Sequence, residues 1–311
     1  MSRGVEVSAP SRLHFGLVNP HGVAPYRLYG SAGVAVKSPR VVVEVYPSDR
    51  FELPPVLEEG EKAALASVLR GRGVRGIRAV VREVPPRHAG FGTTTQLLLS
   101  IAVGALRLHG IEYSPLDLAW ELGRGRVSSI GVYSFMRGGF IVDAGRGRST
   151  RIAPLAVRLE FPEEWRFVLI LPRGTGLSGE EEEKAMKTPK FYEVARVHEA
   201  AWLLHYGLVP AVIERDPSTF AEALGRLQEL VGGFFQEEQG GLFNPASAKV
   251  VEHLEKLGVR GYGQSSWGPL IYVFAESEDR AREIADSVSR LGEFRVCVTG
   301  ADNRGALVRE V

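Results

Sequence analysis

The stretch Pro85-Pro86-Arg87-His88-Ala89-Gly90-Phe91-Gly92-Thr93-Thr94-Thr95-Gln96 constrains this chain more than any other. The apolar run Ile77–Val84 before it reads as a strand. Leu97–Leu106 after it reads as a buried helix. The stretch is therefore a glycine-bearing loop between a strand and a helix N-terminus. Gly90 and Gly92 allow backbone angles and close approaches that other residues resist. Thr93, Thr94 and Thr95 place hydroxyls where the first helical N–H groups have no partner. With the positive end of the helix dipole, these groups suit a phosphate or pyrophosphate. An ordinary threonine N-cap after a glycine turn has the same pattern, and spacing alone leaves both readings open. No Gly-Lys-Ser/Thr follows the glycines, which excludes a Walker loop.

The rest of the chain sets broad bounds. Its 311 residues suffice for two domains, and 44% hydrophobic with 24% charged residues is an ordinary globular composition. A formal charge of +1 gives no overall pull toward nucleic acid or an anionic membrane, and neither is expected as a partner. No apolar run is long enough to span a bilayer and no leader is visible, so a cytoplasmic protein is expected. The single cysteine, Cys297, excludes an intrachain disulfide and a cysteine zinc cluster. Its strand-like neighbours predict an inert core thiol. Arg far outnumbers Lys, and Arg is the better bidentate partner for carboxylate and phosphate.

In chain order, Val5–Pro10 reads as a strand and Ser11–Leu17 continues it. Alternation puts Arg12 and His14 on one face, and Leu13 and Phe15 on the other. Two adjacent basic groups suit an anionic ligand, whereas a solvated face is the plainer alternative. Strands follow at Tyr26–Val36 and Val41–Tyr46, and a helix at Leu57–Leu69. Ser114–Leu122 is a helix with Ser114 as cap and Pro115 in its first turn. Gly123–Phe135 mixes glycine, Arg124, Arg126, Ser128 and Ser129 without a clear period, which reads as a binding loop. Asp143 ends the strand Gly138–Gly145 before Ala-Gly and reads as a turn former.

Polar residues Gly145–Thr150 can carry the chain between domains, and Trp165–Pro172 is the strongest strand. The acidic run Glu180–Glu183 reads as a solvated helix face. Helices are expected at Phe191–Tyr206, Ser218–Leu230, Ala246–Leu257 and Asp279–Leu291. A second informative loop, Gly261–Pro269, carries Gln264, Ser265, Ser266 and Trp267 before the strand Leu270–Phe274. It reads either as a ligand contact or as a tight hairpin. Hairpin, helix and the closing strand Glu293–Val298 suggest a ferredoxin-like C-terminal half.

The stretch Pro86 to Thr94 resembles the second motif of the GHMP superfamily, Pro-x-x-x-Gly-Leu-Gly-Ser-Ser, which includes galactokinase, homoserine kinase and mevalonate kinase. Gly261–Gly268 occupies the place of that family's C-terminal glycine motif. The resemblance implies an α+β, GHMP kinase-like two-domain fold. Residues 1–155 would form an N-terminal domain of the ribosomal protein S5 domain 2-like type, and 156–311 a ferredoxin-like domain. Five blocks resemble more closely the family of β-ribofuranosylaminobenzene 5′-phosphate synthases. They are Ser11–Gly16, Gly90–Gln96, Gly123–Arg126, Arg137–Gly145 and Gly263–Pro269.

This closer resemblance implies a pentosyltransferase of methanopterin biosynthesis. Its partners would be phosphoribosyl pyrophosphate and 4-aminobenzoate or 4-hydroxybenzoate, with pyrophosphate and carbon dioxide leaving. Mg²⁺ would serve as cofactor through unidentified ligands, and a homodimer is expected by analogy with GHMP relatives. Carried onto this sequence, Gly90, Gly92, Thr93, Thr94 and Thr95 would hold pyrophosphate, and Arg12, His14 and Arg126 would act in catalysis. Arg124, Ser128 and Ser129 would contact substrate, as would Gln264, Ser265, Ser266 and Trp267, the last stacking on the aromatic ring. The chain departs from the GHMP kinases at Ser128–Tyr133, where their usual Asp is missing. An ATP-dependent small-molecule kinase and a non-catalytic ligand-binding protein on the same fold are the alternatives.

Overall fold

The computed structural model describes residues 4–22, 26–173, 184–185, 193–292 and 294–311. The acidic run Glu180–Glu183 lies outside the described residues. The chain opens on two long strands, β1 (Val5–Asn19) and β2 (Tyr29–Pro47), paired antiparallel along most of their lengths. β1 runs on through Pro10, and β2 joins the strands expected at Tyr26–Val36 and Val41–Tyr46 across Pro39. The register shifts between Pro10 and Ser11, and again between His14 and Leu17. At the second shift Phe15 and Gly16 face the single residue Ala32, which is a β-bulge, and Gly16 has φ +108°.

The first sheet continues through β3 (Phe51–Glu52) and β4 (Ile77–Glu83), separated by helix α1 (Glu59–Gly71). Helix α2 (Thr93–Leu108) follows the glycine loop and is buried along most of its length. The run Leu97–Leu106 has no polar face because α2 lies among β1, β2, α1 and the next helices. Helix α3 (Pro115–Glu121) begins as expected, with Ser114 Oγ accepting from Asp117 N–H at 3.3 Å. Helix α4 (Ile130–Arg137) then occupies part of the stretch expected to be loop. Its buried face, which includes Ile130, Tyr133 and Ser134, is too brief to show a period.

Strand β5 (Phe140–Asp143) pairs with β2, and β6 (Leu155–Leu159) pairs with β5. The last strand of the chain, β11 (Leu307–Glu310), returns to pair with β1. The first sheet thus holds the chain end as well as its beginning.

The second sheet contains β7 (Arg166–Leu171), β8 (Tyr262–Gln264), β9 (Ile271–Ala275) and β10 (Arg295–Gly300). Their spatial order is β10-β7-β9-β8, antiparallel throughout. With helices between β7 and β8 and between β9 and β10, this is the ferredoxin-like arrangement. Alternation on β7 explains how both faces are buried. Val168 and Ile170 pack on helices Ala248–Lys256 and Glu278–Ser289. Phe167 and Leu169 face the other way, onto a core shared with Leu13 and Phe15 of β1 and Phe140 of β5.

Between the two sheets lies helix Pro217–Phe234, whose Phe220 packs 4.8 Å from Phe274 and 5.3 Å from Trp165. Asp216 caps it through Ser218 and Thr219 N–H, matching the start legible in the sequence. The helix expected from Phe191 is observed from Val194 to Trp202. It passes through a π-helical turn, Leu203–Leu208, before continuing to Glu214. Cys297 is exposed, not a core thiol. It sits on the edge strand β10, whose inward residues are its neighbours Val296 and Val298. Among the described residues no helix is long and apolar enough to cross a membrane.

Candidate functional site

The glycine loop meets the N-terminus of α2 at Gly92, which has φ +75°. Thr95 and Gln96 N–H both bond Gly92 O, at 3.1 and 3.3 Å. The N-cap is therefore glycine, and no side chain caps the helix. This overturns the threonine-cap reading: Thr93, Thr94 and Thr95 form the first turn itself. The N–H groups of Thr93 and Thr94 have no acceptor within the helix, which is the requirement for an anion cradle.

Two distant segments clamp this loop. Arg12 N–H donates to Phe91 O at 3.0 Å, and Arg12 Nη1 donates to Gly90 O at 2.5 Å. Ser265 Oγ donates to the same carbonyl at 2.6 Å and accepts from His14 N–H at 3.0 Å. A Cβ at Gly90 would stand 2.6 Å from Ser265 O. The hairpin reading of Gly261–Pro269 holds: β8 and β9 form the hairpin, and its tip closes on the glycine loop. At the loop's base, Arg87 pairs with Glu61 at 2.6 Å and Glu58 at 3.1 Å, a support that the sequence did not reveal.

Beside the loop lies a cleft of about 120 Å³, lined by Gly90, Gly92 and the three threonines. It adjoins a larger cavity of about 220 Å³ lined by His14, Arg126, Ser128, Gln264 and apolar residues. Arg12, Thr95, Arg124, Ser266 and Trp267 line both. Arginines supply the charge, and among the described residues no carboxylate lines either space. Arg124 Nε donates to Thr95 Oγ1 at 3.0 Å, joining the two informative loops. Arg126 is exposed, with its guanidinium 5.2 Å above the Trp120 ring. The apolar wall is built by Phe235 and Trp267, edge to face at 4.8 Å, with Leu242, Phe243 and Val231.

Helix Pro217–Phe234 reaches this wall because β1 has Gly16 there. A Cβ at 16 would lie 2.5 Å from both Val231 methyls. Gln228 fastens the contact, donating to Phe15 O at 2.7 Å and accepting from Gln264 N–H at 3.2 Å.

His14 corrects the picture of two adjacent cations. It is 6% exposed, and burial, with the nearby Arg12 charge, lowers its pKa to about 3. It is neutral at physiological pH, and Arg12 is the cation of the pair. Nδ1 accepts from Gly16 N–H at 3.0 Å, and Nε2 lies 2.8 Å from Ser128 Oγ.

Of the residues expected to contact ligand, Ser129 and Ser265 line neither space. Ser129 N–H and Oγ donate to Asp143 Oδ2 at 3.0 and 2.8 Å, so it secures the start of α4. Ser265 is fully buried and serves as the fastener between β1 and the glycine loop. Asp143 is 3% exposed and accepts from Ser31, Ser129 and Gly145, an internal version of the turn-forming role expected for it.

The geometry agrees with what the chain is similar to. Residues 208–293 match the family described as GHMP kinases C terminal. A beta-ribofuranosylphenol 5′-phosphate synthase of Archaeoglobus fulgidus is 30% identical, over 97% of this chain and 98% of that one. The enzyme of the same name from Methanothermobacter thermautotrophicus is 29% identical, over 97% and 98%. The crystal structure of homoserine kinase from Cytophaga hutchinsonii superposes with a TM-score of 0.71 at 18% identity, covering 98% of this chain and 97% of that one. That last likeness carries the fold alone, a GHMP kinase-like α+β architecture. The full-length likeness to the synthases goes further: this chain belongs to the beta-ribofuranosylphenol 5′-phosphate synthase family, pentosyltransferase-type enzymes built on the GHMP kinase fold.

Proposed function

We propose that the protein joins the ribosyl 5-phosphate group of phosphoribosyl pyrophosphate to 4-hydroxybenzoate, releasing pyrophosphate and carbon dioxide, as an early step of methanopterin biosynthesis. The observation that carries this reading is the continuity of two unlike spaces. An uncapped helix N-terminus with two arginines beside it opens directly into an aromatic-walled cavity. The first suits a pyrophosphate and the second a benzoate ring. The relatives are named for a ribofuranosylphenol, which favours the hydroxy acceptor over the amino one.

In this reading the Thr93 and Thr94 N–H groups and the loop hydroxyls stabilise the charge that develops on departing pyrophosphate. Arg12 and Arg124, at the junction of the two spaces, orient the donor phosphates and the benzoate carboxylate. The ring stacks on Trp267 with its carboxyl-bearing carbon toward the anomeric carbon. The ring carbon attacks the anomeric carbon as pyrophosphate leaves and as the para oxygen releases electron density into the ring. Loss of carbon dioxide then restores aromaticity. The carboxylate contact must loosen as carbon dioxide forms, so the arginines contribute orientation more than stabilisation of the last step. Positioning of two reactants is the main source of rate.

The donor set tests the fit of Mg²⁺. Neither space is lined by a carboxylate, and no cluster of three or more His, Cys, Asp or Glu residues suited to a metal occurs among the described residues. The lining residues thus do not form a carboxylate site for the ion. We propose that Mg²⁺ would come with the donor, where it would offset phosphate charge. Pyrophosphate release measured with each substrate alone and with both together tests the reading. Release only with both supports it, and ADP formed from ATP with a small alcohol would favour a kinase.

A further inference from the structure

Four side chains run from the cavity wall into the core: His14, Ser128, Ser31 and Asp143. Their contacts are 2.8 Å from His14 Nε2 to Ser128 Oγ, 2.8 Å from Ser128 Oγ to Ser31 Oγ, and 2.6 Å from Ser31 Oγ to Asp143 Oδ2. The direction of every bond follows from the two ends. Gly16 N–H can only donate, so His14 Nδ1 accepts. A neutral ring then carries its proton on Nε2 and donates to Ser128. At the far end the Asp143 carboxylate accepts, so Ser31 donates to it and must accept from Ser128. The Ser128 proton therefore points into the protein. One of its lone pairs receives His14, and the other receives a long hydrogen bond from Ile130 N–H at 3.3 Å, which a ligand donor has to share or displace.

We infer that Ser128 is a specificity-determining residue that offers the cavity only a hydrogen-bond acceptor, with Ser31 and Asp143 as positioning residues that turn its proton away. The inference rests on the proposed reaction for its ligand and deepens it. Neutral His14 and acceptor-only Ser128 form a wall that selects a ligand O–H or N–H and disfavours a carboxylate, a phosphate or an ether. Anionic groups belong with Arg12, Arg124 and the helix N-terminus. This gives the cavity a polarity: the benzoate carboxylate faces the arginines and a neutral hydroxyl faces Ser128. Two substrate groups have that chemistry, the para hydroxyl of the acceptor and a ribose hydroxyl of the donor.

The test compares binding of matched ligand pairs, by calorimetry, to the wild-type protein and to folded Ser31→Ala. One pair is 4-hydroxybenzoate and 4-methoxybenzoate. The other is phosphoribosyl pyrophosphate and its ribose O-methyl analogues. Without Ser31 the Ser128 proton is free to turn outward and serve an ether oxygen. The preference for hydroxyl over methoxy should shrink about tenfold, the worth of one neutral hydrogen bond, for one pair and not the other. The pair that responds identifies the group read. A merely structural loss would weaken both members equally, and unchanged ratios in both pairs would overturn the proposal. A neutron structure of the wild-type protein decides independently of substrate binding and of the folding of the variant. A deuteron between Ser128 and Ser31 is expected, and a deuteron on the cavity side would overturn it. Failure of the ligands to bind, with that deuteron in place, would count against the proposed reaction alone.

Discussion

Arg12 lies directly beneath Gly92: a Cβ at position 92 would meet Arg12 Cγ at 3.0 Å and Nε at 3.1 Å. The loop that presents the helix N-terminus and the arginine that shares its cleft are one packed unit. Gly92→Ala would suffer twice, from its left-handed backbone at φ +75° and from displacing Arg12. A loss of about 1–2 kcal/mol in stability is expected. Turnover should fall about 100-fold, the effect of a small misplacement of positioned groups. Thermal melting and steady-state rates on the same preparation check both.

Arg12→Lys keeps the charge but loses the rigid guanidinium whose Nη1 donates to both Gly90 O and Ser265 Oγ. The expected result is a folded protein with kcat/KM lowered about 100-fold for both substrates. Near-normal kinetics would remove Arg12 from the site.

Trp267→Ala removes one partner of the edge-to-face pair with Phe235. The acceptor KM should rise up to about tenfold, in keeping with the worth of such an aromatic contact. The donor KM should change less. A larger change on the donor would place the aromatic ring elsewhere.

His14 makes a prediction about acid stability. Its folded pKa, about 3, lies below the ordinary 6.5, so the unfolded chain binds the extra proton first. Stability attributable to this residue is intact above about pH 6.5 and declines as pH falls toward 3. At pH 4.5 the decline is about 2–3 kcal/mol. His14→Asn retains an acceptor for Gly16 N–H and cannot titrate. Its unfolding free energy should fall less steeply between pH 6.5 and 4.5 than that of the wild-type protein, as denaturant titrations would show.

These predictions separate what the sequence reveals from what it hides. The glycine loop, the Ser114 and Asp216 caps and the Arg12/His14 face were legible because each depends on residues near one another in the chain. The relay from His14 to Asp143 was not legible. Its members lie on β1, before α4, on β2 and on β5, and serines carry no periodic signal. Gln228 and Phe235 were hidden for a related reason. Their helix reads as an ordinary amphipathic segment until Gly16 is seen to admit it against β1. The neutrality of His14 depends on burial by residues from several elements, which no local reading supplies. The missing acid at Ser128–Tyr133 looked like an empty position, yet Asp143 approaches that segment from β5 through Ser129 and Ser31. Cys297 misled because strand character alone does not say whether a strand is central or at an edge.

The most direct measurement of the central claim is a single incubation with Mg²⁺, phosphoribosyl pyrophosphate and 4-hydroxybenzoate labelled at the carboxyl carbon. The account predicts labelled carbon dioxide in equal amount to pyrophosphate, and only when both substrates are present. Folded protein that releases pyrophosphate without labelled carbon dioxide, or releases neither, would contradict it.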